Sequence, residues 1–255
     1  FKCDWSSDVC SSDLLGITHV QLLPVLNFYS TNEQNKAYEN SGTVNGNNYN
    51  WGYDPYNYFT PEGWFATDAT DPYCRIRELR ELINECHKAG IGVLLDVVYN
   101  HMAGTRFLDD IVPGYYFRTK PDGAYTSNSG CGNDTATERY MMKKIVMDST
   151  SHWVKNYKAD GFRFDLMGLM EATSVTDSYA LCAKINPSVL FEGEGWKMYN
   201  GPKETFGMDQ NYMLKTNSVS VFNDEFRDVF KAGGFNETGR GFITKKGASS
   251  EKILR

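Results

Sequence analysis

Long apolar runs are missing from this sequence. None reaches the roughly 18 residues of a membrane-spanning helix, so no such segment is expected. Positive charge is in deficit: 26 Lys and Arg stand against 32 Asp and Glu, a net charge of −6. That balance argues against a nucleic-acid partner, which would need a basic face. The six cysteines form no Cys-x-x-Cys pair and the four histidines form no HxxxH or HExxH spacing. A structural zinc site is therefore not indicated, and cysteines this sparse do not make a disulfide scaffold. No GxGxxG or GxxxxGKS/T stretch opens a helix, which deprives a nucleotide-binding open sheet of its main support. The chain begins at Phe1 and no basic segment leads into an apolar run. The compartment is left open by this, with a lean to the cytoplasm.

What is present is an ordinary globular balance, 41% apolar and 23% charged, over 255 residues. That is enough for one large domain or two small ones. Aromatics reach 14%, with 16 Tyr and 5 Trp. Most of these are expected in the core, although exposed aromatics also suit flat ligands such as sugar rings. Residues Phe1–Leu14 (FKCDWSSDVCSSDL) follow neither helical nor strand periodicity and resemble translated adapter read-through. This segment is set aside as non-native, which leaves 15–255 as the domain.

From Leu15 onward strand and helix signals alternate. Ile17–Leu23 is a β-branched run closed by Pro24, followed by a long Asn-, Tyr- and Gly-rich stretch to about Asp71. A loop of that length is usually functional, and its aromatics (Tyr49, Trp51, Tyr53, Tyr56, Tyr58, Phe59) argue that it is ordered. Pro72–Ala89 has helical spacing, with Ile76, Leu79, Ile83 and Cys86 on one face and Gly90 after the C-cap. Ile91–Val98 is almost continuously apolar, as a strand buried on both faces would be. Thr135–Ala159 predicts a helix opened by a Thr135/Glu138 capping box, with Met142, Ile145, Ser149, Trp153 and Tyr157 on one face. Further strands are expected at Gly161–Phe164, Ser188–Phe191 and Val219–Phe222. Further helices are expected over Glu171–Ile185 and Glu225–Lys231. This order predicts an α/β fold with parallel crossovers, either a doubly wound sheet or a (β/α)8 TIM barrel.

Strand ends separate the two. Asp96–His101, Arg163–Asp165, Glu192–Glu194 and Asn223–Asp224 each place acidic or imidazole groups at the C-terminal end of a predicted strand, where barrel enzymes keep their sites. Retaining glycoside hydrolysis wants such a set: a carboxylate nucleophile, a carboxylic acid roughly 5–5.5 Å away, and a third carboxylate to stabilise developing positive charge. Arg163 lies two residues before Asp165, hence on the same strand face, where it would keep Asp165 ionised. Glu194, beside Trp196, would be partly desolvated and suited to an acid. Several residues read as structural. Asp96 is taken as a buried hydrogen-bond partner, Glu192 as facing the helices, Arg227 with Asp228 as a helix-surface ion pair, and His19, His87 and His152 as packing or surface residues. Asn133-Asp134-Thr135 and Asn236-Glu237-Thr238 match the glycosylation acceptor pattern.

The stretches DVVYNH (Asp96–His101), GFRFD (Gly161–Asp165), FEGEGW around Glu194 and FNDEFRD (Phe222–Asp228) resemble the four motif regions of the α-amylase family of glycoside hydrolases, in the family's order. ITHVQLLPV (Ile17–Val25) looks like its second barrel strand. YNWGYDP (Tyr49–Pro55) resembles the hallmark of the type I pullulanases, the branch that cleaves α-1,6 linkages, and GCGNDTATER (Gly130–Arg139) is similar to the same branch. The resemblance implies retaining endo-hydrolysis of α-1,6 branch points in pullulan, amylopectin, glycogen or their limit dextrins. It implies Asp165 as nucleophile, Glu194 as general acid/base and Asp224 as transition-state stabiliser. Arg163 would stand beside the nucleophile, His101 would bond the sugar in the −1 subsite, and Tyr53 would form its floor. Asn223, Trp196 and Asp54 complete the expected substrate-binding set. Asn223 stands where ordinary amylases often carry His, a departure the pullulanases tolerate. The partner implied is a neutral branched α-glucan, compatible with a charge of −6. No metal or cofactor is required, although calcium is compatible with the family, and the oligomeric state is left open.

The same resemblance sets limits. Five of the barrel strands two to seven read clearly and the resemblance puts the sixth near Phe206–Met213, but no first strand precedes Ile17 and no eighth is legible in Gly233–Arg255. The chain is therefore expected to be part of a larger enzyme, inactive alone because an open barrel exposes strand edges. An α-1,4-acting amylase or an isoamylase is the same-class alternative, opposed by YNWGYDP. A non-catalytic glucan-binding relative is opposed by the three carboxylates.

Overall fold

The computed structural model describes residues 16–35, 48, 50–231 and 241–243. The segment 1–14, Tyr49, the Asn236 acceptor pattern and most of 233–255 lie outside them.

Five strands form one sheet: β1 (His19–Leu22), β4 (Gly92–Val97), β5 (Gly161–Phe164), β6 (Leu190–Gly193) and β7 (Ser220–Val221), in that spatial order. The pairs β1–β4, β4–β5 and β5–β6 are parallel, with Leu22 opposite Leu95, Asp96 opposite Arg163, and Arg163 opposite Glu192. Spatial order follows chain order throughout, with no reversal of the kind that defines a doubly wound sheet. The middle of the sheet is buried on both faces: Val93, Leu95, Val97, Phe162 and Phe164 are fully covered on one, and Leu94, Asp96 and Arg163 are buried on the other. That is what the unbroken apolar run of β4 demands of its neighbours.

Helices fill the crossovers. Helix α1 (Cys74–Lys88) buries Cys74, Leu79, Ile83 and Cys86, and ends at Gly90, whose φ of +75° serves the turn into β4. Ile76, expected on that face, is only half-buried. A single turn, α2 (Arg106–Asp109), follows β4. Helix α3 (Tyr140–His152) buries Met142, Val146, Ser149 and Thr150 and runs into a π-turn over Trp153–Tyr157, closed by Lys158 in the left-handed region. Helix α4 (Ala172–Ala183) is capped by Glu171, whose carboxylate accepts the Ser174 N–H at 3.0 Å.

Three expectations need correction. The long polar stretch after β1 is not simply a loop, since β2 (Leu26–Phe28) and β3 (Pro55–Pro61) pair there as an antiparallel ribbon. Thr135 opens no helix. Its N–H donates to the Asn100 carbonyl and its hydroxyl to the Tyr99 carbonyl, while Glu138 pairs with Arg118 at 2.8 Å, so both capping groups are spent on tertiary contacts. The stretch near Phe206–Met213 contains a 3-10 helix, Gln210–Lys215, rather than a strand. Asp209 caps it by accepting the N–H groups of Asn211 and Tyr212, which turns the backbone out of an extended path.

The chain divides into two compact units, Phe1–Ser220 and Val221–Arg255. In the second, α5 (Asp224–Phe230) is capped by Asn223, whose Oδ1 accepts the Phe226 N–H at 2.8 Å. Phe226 and Phe230 stack at 4.4 Å, and Arg227 and Asp228 form the expected exposed pair at 2.7 Å.

Candidate functional site

The parallel register sets Asp96 and Arg163 side by side on neighbouring strands, pointing to one face. Two residues further along the chain, on the same face, comes Asp165; Glu194 follows the end of β6. The buried Arg163 guanidinium organises all three acids. Its Nη1 donates to Asp96 at 2.8 Å and to Asp165 at 3.1 Å, and its Nη2 meets Glu194 at 2.7 Å. One planar cation thus holds three carboxylates in a fixed fork, which a point charge could not do. Asp165 and Glu194 therefore share one guanidinium and face the same side of the sheet. Arg163 is itself driven further toward its charged form by these acids, against the cost of burial.

Asp96 is the innermost of the three, at 1% exposure. Burial pushes its pKa up to about 6, although Arg163 and the Tyr53 hydroxyl, which donates to it at 2.8 Å, pull the other way. The Tyr53 phenol is in turn pushed up, by burial first and by Asp96 second. The Arg163 guanidinium lies 6.0 Å from the Tyr53 ring centre, so this half-buried ring belongs to the cluster.

The exit from β4 supplies the rest. Asn100 donates to the Asp165 carbonyl at 2.8 Å and to its carboxylate at 3.0 Å. Its remaining oxygen meets His101 Nδ1 at 2.7 Å, while His101 Nε2 lies 2.9 Å from the Tyr53 carbonyl. Burial lowers the His101 pKa, opposed by the Tyr53 carbonyl and by Asp165. Both ring nitrogens face acceptors, so a singly protonated ring satisfies only one of them. Leu166, directly after Asp165, has φ +41°, a left-handed turn that costs a branched residue about 1–2 kcal/mol. The turn aims the Leu166 N–H at the Glu194 carboxylate, 3.1 Å away.

Five of the expected residues therefore come together: Asp165, Glu194, Arg163, His101 and Tyr53. Asp54 is near but occupied, since its two oxygens accept the Ser30 N–H at 2.9 Å and the Asn50 amide at 2.8 Å and thereby fasten the turn that carries Tyr53. Trp196 sits in the loop after Glu194, its backbone against Gly168, where a Cβ would lie 1.8 Å from the Trp196 carbonyl oxygen. The partners found for Glu194 are Arg163 and the Leu166 N–H rather than the indole expected from sequence. Asn223 and Asp224 belong to the second unit, where Asn223 caps α5 and Asp224 accepts the Glu225 N–H at 3.1 Å. Asp96 is the structural partner it was read to be. Glu192, expected to face the helices, is in register with Arg163 and lies on its face. Asn100 and the Leu166 turn were missed. The Asn inside DVVYNH was a readable signal for the first, but nothing local marks the second.

Among the described residues no three His, Cys, Asp or Glu side chains are grouped to hold a metal ion, and the site's acids surround a guanidinium instead. No helix among the described residues is long and apolar enough to cross a membrane.

No family model matches the chain. Among curated proteins it is 42% identical over 233 residues to pullulanase A of Streptococcus pneumoniae, which covers 90% of this chain and 18% of that protein. It is 36% identical over 243 residues to the pullulanase of Bacillus subtilis, covering 94% of this chain and 32% of that one. Among solved structures, Bacillus subtilis type I pullulanase complexed with maltose superposes with a TM-score of 0.87 at 35% identity, over 96% of this chain and 33% of that chain. Pullulanase of an Anoxybacillus species complexed with maltotriose gives 0.86 at 40% identity, over 94% and 33%. The chain spans roughly a fifth to a third of the length of the curated relatives it matches. Over about nine-tenths of its own length it is homologous to a segment of pullulanases.

Proposed function

We propose that this chain carries the catalytic core of a retaining glycoside hydrolase that cleaves α-1,6 branch linkages in α-glucans. The observation that carries the reading is the single Arg163 guanidinium shared by Asp165 and Glu194 at adjacent strand ends. The homologous pullulanase structures solved with maltose and maltotriose support a glucan as ligand. The five-stranded sheet, its order matching chain order, supports reading it as an arc of a (β/α)8 barrel, strands two to seven less the sixth, with 15–255 as part of the catalytic domain.

In this reading Asp165 attacks the anomeric carbon while Glu194 protonates the departing glycosidic oxygen. The resulting glycosyl ester at Asp165 is then opened by water, which gives its proton to Glu194. Arg163 and Asn100 orient the attacking carboxylate, each through one of its two oxygens. Tyr53 offers a ring face to the sugar, and His101 a ring N–H once a hydroxyl replaces the Tyr53 carbonyl. The role of third carboxylate, stabilising the positive charge that develops on the ring, is the one the resemblance gives to Asp224.

The test is Asp165→Asn in the complete protein, with pullulan as substrate. Loss of all but about 1% of turnover with binding retained supports the reading, since the change deletes the nucleophile and little shape. Turnover above a few per cent of wild type, or a β-anomer as first product in proton NMR, refutes it.

A further inference from the structure

We propose that Asn133 is a positioning residue that sets the place of His101 by holding both backbone polar groups of the next residue, Met102. Asn133 is 3% exposed. Its Nδ2 donates to the Met102 carbonyl at 2.7 Å and its Oδ1 accepts the Met102 N–H at 3.0 Å. One side-chain amide thus replaces the pair of ladder bonds that a neighbouring strand would provide. The backbone is gripped on both sides of His101. Thr135 takes the Tyr99 and Asn100 carbonyls, at 2.6 and 2.9 Å, and the Tyr58 hydroxyl donates to the His101 carbonyl at 2.9 Å. The chain at this point has left β4; with the Ala103 N–H, which donates to the Pro55 carbonyl of β3 at 2.9 Å, these bonds set where the imidazole sits.

The consequence reaches the acids. His101 Nδ1 bonds Asn100 at 2.7 Å, and the Asn100 amide bonds Asp165 at 3.0 Å. A shift at Met102 therefore moves His101 relative to Asp165, and misplacement of a reacting group by about 1 Å can cost about 100-fold in rate. The same contacts dispose of the Asn133-Asp134-Thr135 acceptor pattern. An amide whose donor and acceptor are both spent inside the protein is closed to glycosylation.

The inference deepens the glycosidase reading and rests on it for its kinetic arm only. In the complete protein, Asn133→Ala is expected to lower kcat/KM on pullulan at least tenfold and to move the His101 imidazole 15N signals without substrate, those signals being identified by their loss in His101→Ala. In the His101→Ala background the same change is expected to cost less than about twofold, because a residue acting through another is non-additive with it. Asn133→Asp is the conservative variant. Its ionised carboxylate still accepts the Met102 N–H but has no hydrogen for the Met102 carbonyl, so it should move the imidazole signals at pH 8 although the side-chain shape is kept. Equal losses in the two backgrounds overturn the proposal, as do imidazole signals unmoved in both variants. A purely structural role lowers thermal stability alone. If the wild type does not cleave pullulan, the glycosidase reading fails, and the imidazole signals still decide the role of Asn133.

Discussion

Replacing Arg163 by Met keeps the approximate volume of the side chain and removes the cation that pairs with Asp96, Asp165 and Glu194. The guanidinium is 8% exposed and Asp96 1% exposed, so little water is available to take over its work. Breaking a buried pair by removing one partner costs about 3–5 kcal/mol. For a chain of this size that lowers Tm by about 10 °C. The cost should depend on pH in a stated direction. Asp96 has a folded pKa of about 6 against an ordinary 3.8. Above pH 6 it is ionised and leans on Arg163; below, it takes up a proton and needs the cation less. The variant's deficit in Tm should therefore be largest at pH 8 and shrink by pH 5. Circular dichroism melts of the complete protein, wild type and Arg163→Met, at both pH values decide it. A deficit below about 1 kcal/mol, or one that grows as the pH falls, would mean that the three acids are not held by this guanidinium.

Other outcomes follow from the same geometry. In the wild type, Asp96 binds more protons folded than unfolded between pH 4 and 6, so its contribution to stability, about 3 kcal/mol for a pKa of about 6 against 3.8, is full below pH 3.8 and lost as the pH rises through 6; denaturant titrations of Asp96→Asn should lack that slope. Tyr53→Ala should reduce pullulan turnover of the folded protein by more than about tenfold if the ring is a sugar platform, whereas a loss of Tm with unchanged specific activity would make it a core residue. Gly168→Ala drives a Cβ to 1.8 Å from the Trp196 carbonyl; it should displace the backbone after Glu194 and cost at least about 3 kcal/mol in denaturant titrations, an overpacking penalty at the upper end.

Much of the framework was legible because its signals are local. The unbroken apolar run before Asp96 dictated a strand covered on both faces, and β4 is one. The i, i+3, i+7 spacing of α1, with Gly90 behind it, located that helix to within two residues at each end. The placing of Asp96, Asp165 and Glu194 at successive strand ends also followed from period-two alternation and chain order. The errors were local too. Thr135 and Glu138 carry a capping signature, and tertiary partners claimed both; Asp209 supplied a turn where the family's barrel order led to the expectation of a strand.

What the tertiary structure alone decided is who touches whom. Asp96 and Arg163 stand 67 positions apart and Asn133 and Met102 31 apart, and no pattern in the chain announces either pair. That Arg163 would serve three acids rather than Asp165 alone depends on the parallel register and on Glu194 reaching across from the third strand. The left-handed turn at Leu166, which a Leu would not adopt by preference, persists because Glu194 accepts its N–H. Local propensity reads the backbone a few residues at a time. Buried charges and amides are placed by the requirement that each find a partner once water is gone, and that requirement is met only when distant segments pack.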